Sequence, residues 1–325
     1  MLRLIELFAG VGSQIQALKN LGIECEPVAI CEIDKYAIDA YKKLHGEVLN
    51  LGDISKVNPA DIPDCDLLTY SFPCQDISVA GAQAGLDEGS ETRSSLLWEC
   101  EKIIKAKKPK YLLMENVKNL VGKTHLKNFE KWLQLLENYG YKNYWKILNG
   151  NHFNVPQNRE RVFCVSILGK EDFSFEEGEL TSLTIRDILE NEENVPENMY
   201  MDDKPYIPRE KPSSSDSNLI HVGDLDFKGT ESIKRVYSID GICPTLTTMQ
   251  GGHRQPKILL DNGRVRKLTP RECWKIMGFT DEQFDKVKGL SNAQLYKQAG
   301  NTICVPCLES IFKQLFLKQV KEKSH

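Results

Sequence analysis

LRLIELFAGVGSQIQALKNLG, residues 2–22, sets the pattern from which the fold follows. LRLIELF reads as a strand. Gly10 and Gly12 make a turn behind it. Ile15, Leu18 and Leu21 then fall at helical spacing, and Gly22 stands where a helix commonly ends on a left-handed residue. The alternation continues. CEPVAICEID (25–34) is a second strand and DLLTYSF (66–72) another. A helix is expected near RSSLLWECEKIIKAK (93–107), with Leu96, Leu97, Cys100, Ile103 and Ile104 on one face. KYLLMENV (110–117) is a strand, and LKNFEKWLQLLENYGY (126–141) a helix turning Phe129, Trp132, Leu133 and Leu136 inward. YWKILNG (144–150) and RVFCVSIL (161–168) are two more strands. Strands and helices in alternation predict an α/β domain, a mainly parallel sheet flanked by helices. Sites in such sheets lie at the carboxyl ends of the strands. Gly10, Gly12, Glu32, Cys74 and Glu115 all fall there, and one shared cleft is expected.

From about residue 170 the rhythm breaks into short, irregular segments, with PYIPREKPSSSDSN (205–218) read as a loop. A helical pattern returns near 290, and Ile303, Leu308, Ile311, Phe312, Leu315 and Phe316 suggest a C-terminal helix packing back on the first domain. The expected organisation is a larger domain of 1–170 and 288–325, with a smaller, irregular one of 171–287. A chain of 325 residues is long enough for both.

Composition narrows the class. Apolar residues make up 41% and charged residues 27%, as in ordinary globular proteins. No apolar run approaches the length of a membrane span, so no membrane association is expected. The first residues carry Glu6 inside an apolar run and no cleavage pattern, so they read as a strand and not as a signal peptide. With ten cysteines, mostly in apolar surroundings, a reducing cytoplasm is the expected location. Cys304 and Cys307 form a C-x-x-C that lacks the second pair a zinc site wants, so no metal is expected. The net charge of −4 argues mildly against a general polyanion binder. The charge is uneven, however. Residues 171–203 hold 12 acids and one base, whereas 204–267 hold 11 bases and seven acids, enough for a local basic face.

The glycine turn and Glu32 suggest a nucleoside-bearing cofactor. Glu32 lies 20 residues after Gly12 at the end of the next strand, placed to take both ribose hydroxyls. Ile15 stands where a dinucleotide fingerprint wants a third small residue, which leans away from a pyrophosphate. Asp53, in GDI at the end of a further expected strand, could accept from an adenine amino group; the competing reading is a turn or helix cap.

Cys74 sits in SFPCQDISVAG (71–81), after a proline and before small and polar residues. A buried structural thiol is the usual fate of a cysteine. Glu115, with Asn116, ends another strand, and an unpartnered carboxylate there would be costly to bury. PQNRERVF (156–163) adds Gln157, Arg159 and Arg161, and alternation puts the two arginines on one side if the segment is extended. A thiolate can add to an electron-poor ring, a carboxyl can protonate a ring nitrogen, and an arginine can hold an exocyclic oxygen.

These residues sit in nine blocks: ELFAGVGS, CEIDKYA, GDIS, SFPCQDISVAG, RSSLLWE, MENVKNL, NVPQNRERVF, RKLTPRECWKIMGF and YKQAGNTICVP. In that order the chain resembles the DNA (cytosine-5) methyltransferases of the bacterial and phage restriction-modification type. GICPTLTTMQGG (241–252) resembles the Thr-Leu element of that family's target-recognition region. The resemblance implies a Rossmann-like methyltransferase fold, S-adenosylmethionine as cofactor with S-adenosylhomocysteine as product, and double-stranded DNA as partner. It implies that Cys74 adds to C6 of a flipped cytosine, with Gln75 in the loop that closes over it. It further implies that Glu115 contacts N3 and the amino group and that Arg161, helped by Arg159, holds O2. Phe8, Gly10, Val11, Gly12, Glu32, Ile33, Asp53, Ile54, Pro73, Leu96 and Asn301 match cofactor-contacting positions. Ser13 and Ser94-Ser95 depart from common glycines, and Ala80 from a common serine.

Ser78, Lys228, Lys234, Arg235, Thr245, Arg254 and Lys257 are the expected DNA contacts. A monomer is expected, with any cognate restriction endonuclease acting separately. Three rivals stand beside this reading. A nucleotide-dependent oxidoreductase leaves Cys74, Glu115 and the arginines without a role. A tRNA cytosine-5 methyltransferase would not need the long segment after residue 170. A silent DNA-binding protein would be expected to have lost Cys74 or Glu115.

Overall fold

The computed structural model describes residues 1–72, 96–215 and 218–318. The chain divides into two compact units: 1–148 with 160–177 and 307–325, and 149–159 with 178–306. The segment 149–159 and residues 288–306 thus group with the second unit, where the sequence reading kept them with the first.

The first unit is built on a six-stranded sheet. Its strands are β1 (Leu2–Leu7), β2 (Cys25–Cys31), β3 (Leu67–Tyr70), β4 (Tyr111–Val117), β5 (Tyr141–Asn149) and β6 (Glu160–Leu168), in the order β2-β1-β3-β4-β6-β5. β2, β1, β3 and β4 are parallel to one another, and β6 runs antiparallel to β4. β3 is buried at every residue, the pattern of a central strand covered on both faces. Helices α1 (Ser13–Asn20), α2 (Lys35–His45), α3 (Leu97–Lys107) and α4 (Leu126–Asn138) follow β1, β2, β3 and β4. One continuous core joins Leu97, Cys100, Ile103 and Ile104 of α3 with Phe129, Trp132 and Leu136 of α4 against β3 and β4. Trp132 meets its one donor requirement there, giving its indole N–H to the Tyr70 hydroxyl at 3.1 Å.

The helix ends follow from their residues. α1 closes with Gly22 at φ +68 and the Ile23 N–H on the Leu18 carbonyl. Asp34 caps α2 by accepting from the Tyr36 N–H at 2.9 Å, and Gly46 ends it at φ +94.

The second unit holds a five-stranded sheet, β11-β10-β9-β8-β7. Its strands are β7 (Tyr206–Ser214), β8 (Ile220–Leu225), β9 (Arg235–Ser238), β10 (Lys257–Leu259) and β11 (Val265–Lys267). β7 corrects the loop expected over 205–218. Pro208 and Pro212 argue against an interior strand, but β7 is an edge strand, with a neighbour on one side only, and its register with β8 breaks between Pro208 and Ser213. Met201, Leu225, Val236 and Val265 form a small core for this sheet. Short helices follow: α5 (Glu231–Lys234) before β9, then α6 (Pro270–Ile276), α7 (Asp281–Val287) and α8 (Asn292–Asn301). Thr269 and Glu272 form a capping box at α6, with Pro270 at its first position. α9 (Val305–Phe312) leads back into the first unit, where Phe316 packs edge-on against Tyr111 at 5.2 Å. Among the described residues no helix is long and apolar enough to cross a membrane.

Candidate active site

The turn after β1 is shaped by backbone that most residues avoid. Phe8, Gly10 and Gly12 take φ of +60, +56 and +78. For a phenylalanine that region is costly, and such strain tends to sit where function needs it. Nothing lies within 4 Å of where a Cβ on Gly10 would stand. The turn therefore offers open space beside bare backbone. Val11 is buried, whereas Ile33 is 76% exposed.

Glu32, just past β2, holds this turn. Its Oε2 accepts the Gly10 N–H at 2.9 Å, and its Oε1 accepts the N–H groups of Ile33 and Asp34, each at 2.8 Å. A carboxylate has about four acceptor positions. Three are used, and one remains open. Asn50 fixes the backbone of Glu32 in turn, accepting its N–H at 3.2 Å and donating to its carbonyl at 3.0 Å. Nothing in the spacing of the sequence singles Asn50 out.

Asp53 does not end a strand. It caps a short 3-10 turn, Ile54–Lys56, its Oδ1 accepting the Ser55 N–H at 3.1 Å and the Ser55 hydroxyl at 2.8 Å, and these bonds hold its carboxyl below the usual range. The capping alternative describes this geometry. Ile54 is buried in the core, and Leu96 packs against the same core just before α3. Asn301 ends α8 in the second unit and is exposed.

Glu115 and Arg161 come together across the antiparallel pair β4–β6. Arg161 lies opposite Val117, which makes it the diagonal neighbour of Glu115 on the same face. Its Nε stands 3.3 Å from the Glu115 Oε1, and both side chains are largely buried. The Arg161 Nη1 donates to the Glu160 carbonyl at 2.8 Å, which fixes the guanidinium. Asn116 donates to the carbonyl of Phe72 at 3.1 Å, so the end of β4 pins the chain leaving β3 two residues before Cys74 in sequence. Pro73, Cys74, Gln75 and Ser78 lie outside the described residues.

Arg159 does not join Arg161. β6 starts at Glu160, so the expected alternation does not reach back to it. Arg159 belongs to the second unit, where its guanidinium spans three carbonyls: Nη1 to Leu246 at 2.9 Å, and Nη2 to Gly300 and Thr302 at 3.0 Å each. It is buried, and this geometry makes it a clamp on the second unit's backbone. Gln157 works beside it, accepting the Leu246 N–H at 3.1 Å, and the Thr245 hydroxyl donates to the Asn158 carbonyl at 2.5 Å.

The basic residues of 204–267 are not all available to a partner. Arg264 is paired with Glu197 and Asp202 and stacked 3.6 Å from the Tyr200 ring centre. Arg266 reaches Glu192 and Glu272, and Arg235 reaches Glu231 at 2.8 Å. Glu192, Glu197 and Asp202 of the acidic stretch are paired in this way. Lys257 corrects an expectation. It is buried in β10, its ammonium donating to the carbonyls of Ile233 and His253, and burial with Lys267 opposite it pushes its pKa down to about 8. Arg254 and Lys228 are exposed, and among the described residues neither has an ion-pair partner; Lys234 is half-buried at the end of α5.

Carboxylate and arginine at one strand end, and a glycine turn held by a carboxylate at another, suit transfer chemistry on a polar ring beside a nucleoside cofactor. The family model for C-5 cytosine-specific DNA methylase matches residues 2–317. The chain belongs to this family. As a DNA cytosine-5 methylase it is an enzyme of a class that takes its methyl group from S-adenosylmethionine. Gly10's open side and the spare acceptor on Glu32 fit a nucleoside there. The methylase is 42% identical to the Type II methyltransferase M2.ScrFI of Lactococcus lactis subsp. cremoris, over 98% of this chain and all of that protein. It is 32% identical to the orphan methyltransferase M.SPBetaI of Bacillus phage SPbeta, over 99% of each. Its fold resembles the Dnmt2 methyltransferase of S. pombe with a TM-score of 0.73 over 98% of this chain and 99% of that one, at 23% identity.

Proposed function

We propose that this methylase acts on a cytosine flipped out of a short, specific duplex sequence, with Cys74 as nucleophile, Glu115 as acid and Arg161 as the group that orients both Glu115 and the base. The observation that carries the proposal is the Glu115–Arg161 pair, 3.3 Å apart and largely buried at the end of β4. A carboxyl so placed meets the edge of a base and not bulk water. A base inside a duplex cannot reach it, so the base must leave the stack.

The Cys74 thiolate adds to C6 while Glu115 gives a proton to N3, so electron density collects at C5. C5 takes the methyl group. The C5 proton then leaves to a base, Cys74 is expelled from C6, and the N3 proton returns to Glu115. S-adenosylmethionine, when bound, would supply an electrophilic methyl on a sulfonium sulfur, which keeps the pair of the broken S–CH3 bond and leaves as a neutral thioether. Phe8, Gly10, Val11, Gly12, Glu32 and Ile33 hold its nucleoside, with Asp53, Ile54, Pro73, Leu96 and Asn301 as further contacts. Glu32 offers one acceptor to the ribose. The second unit reads the DNA, with exposed Arg254 and Lys228 its best-placed cations and Thr245, Lys234 and Arg235 beside them in sequence. Gln75 and Ser78 serve the loop over the base. Arg159 supports this work from its carbonyl clamp. Type II and orphan methyltransferases both occur among the relatives, and the proposal concerns the methyl transfer they share.

The test is a duplex carrying 5-fluorocytosine. Fluorine cannot leave C5 as a proton does, so the Cys74 adduct should persist as a complex stable to denaturant, formed only with cofactor present. Cys74→Ser should abolish it. A wild-type protein that methylates ordinary duplex yet never forms the complex would overturn the covalent step.

A further inference from the structure

The glycine turn is held from its buried side by side chains that the proposed chemistry does not use. Tyr41 and His45 lie four residues apart on α2 and so share a face, their rings 4.9 Å apart. A Cβ on Gly12 would stand 2.7 Å from each ring. Both rings are therefore packed directly against the turn. The Tyr41 hydroxyl donates to Oε2 of the fully buried Glu6 at 2.6 Å. The Glu6 Oε1 accepts the N–H of Ile15 at 3.3 Å, one of the donors that the first turn of α1 leaves unmatched.

His45 completes the support. Its Nε2 is 3.0 Å from the Val11 carbonyl oxygen, and its Nδ1 is 3.3 Å from the Lys19 ammonium. A carbonyl only accepts and an ammonium only donates. One ring form satisfies both contacts: neutral imidazole with its hydrogen on Nε2. The turn is thus held at the Val11 carbonyl and packed at Gly12, while Glu32 holds the Gly10 N–H and the space where a Gly10 Cβ would stand is open.

We infer that Tyr41 and His45 are positioning residues for the methyl donor: they set the Gly10–Gly12 turn in its binding shape by way of Glu6 and Val11, without touching the donor. The inference rests on the reading of that turn as the cofactor cradle. It differs from a general stabilising role in what it moves. Loss of the grip should lower cofactor affinity and raise its KM, and leave turnover at saturation nearly unchanged.

The experiment is calorimetric titration of S-adenosylhomocysteine into the full-length wild type, His45→Ala, His45→Gln and Tyr41→Phe, with initial rates at varied S-adenosylmethionine beside it. One lost hydrogen bond of ordinary strength corresponds to about fivefold, and His45→Ala, which also loses packing on Gly12, to about tenfold. Tyr41→Phe keeps the ring and loses only the bond to Glu6, so it should fall near the smaller figure. Glutamine can still donate to the Val11 carbonyl, and His45→Gln should recover most of the affinity. Wild-type affinity in folded His45→Ala and Tyr41→Phe would overturn the inference while leaving the cradle in place. If His45→Ala does not fold, Tyr41→Phe decides alone. A wild type that binds no S-adenosylhomocysteine would remove the cradle reading, and the inference with it.

Discussion

Glu115 and Arg161 sit diagonally across β4 and β6, two residues out of direct register, and this offset brings the Arg161 Nε to 3.3 Å from the Glu115 carboxylate. An antiparallel partner for β4 is what makes the pair possible. The arginine arrives at the end of β4 because β6 begins there, running back the other way.

Glu115→Gln removes the proton donor and keeps the shape. Methyl transfer should fall by about 10²–10⁴, the range for a lost general acid. Binding of S-adenosylhomocysteine should stay within twofold in the same calorimetric assay. Arg161→Lys should cost less in rate than Arg161→Ala, since a lysine keeps the charge without the planar fork.

Arg254 is exposed and has no ion-pair partner among the described residues. Arg254→Ala should weaken duplex binding about tenfold, within the range of one good contact, and leave cofactor affinity alone. If it meets a phosphate, the slope of log K against log salt should shrink by about one. A salt-matched titration with unchanged affinity would remove Arg254 from the interface.

Glu6 gives a pH signature. Burial raises its carboxyl pKa to about 7 against bonds from Tyr41 and Ile15 that lower it. A carboxyl raised in the folded state favours folding fully below its unfolded pKa, and that contribution is lost as pH climbs through about 7. Glu6→Gln cannot ionise. Its stability relative to wild type should therefore rise between pH 4.5 and 7, by about 3 kcal/mol at most. Denaturant melts of both proteins across that window measure it; parallel curves would contradict a buried, titrating Glu6.

Much of this was legible in the chain. Residues 2–22 announce strand, turn and helix because hydrophobic spacing changes at two glycines. The Glu32 position followed from that turn. Other features depend on neighbours far away in sequence. Pro208 and Pro212 look like loop residues until β7 is seen to be an edge. Lys257 reads as a surface base until its ammonium is found on the carbonyls of Ile233 and His253. Arg159 and Arg161 look like a pair, yet the strand starts between them, and their side chains go to different partners. Glu6 was visible as an acid in an apolar strand; Tyr41, its partner, lies 35 residues on.

Arg266 and Glu272 are both fully buried and joined by two bonds, Nη1 to Oε2 at 2.9 Å and Nη2 to Oε1 at 2.8 Å. Glu272 also caps α6 through the Thr269 N–H at 2.7 Å. Glu272→Gln leaves the buried guanidinium with the more exposed Glu192 as its remaining counter-charge among the described residues, and should cost about 3 kcal/mol in denaturant unfolding. A loss under about 1 kcal/mol would mean that water reaches the pair.

The central claim is that Cys74 and Glu115 methylate cytosine at C5 in duplex DNA. The most direct measurement is transfer of labelled methyl from S-adenosylmethionine to duplex DNA by wild type and Cys74→Ser, with bisulfite sequencing of the product. The account predicts label at cytosines in one fixed sequence context, lost in Cys74→Ser. Label absent from DNA but present on tRNA, with the protein folded and binding cofactor, would contradict it.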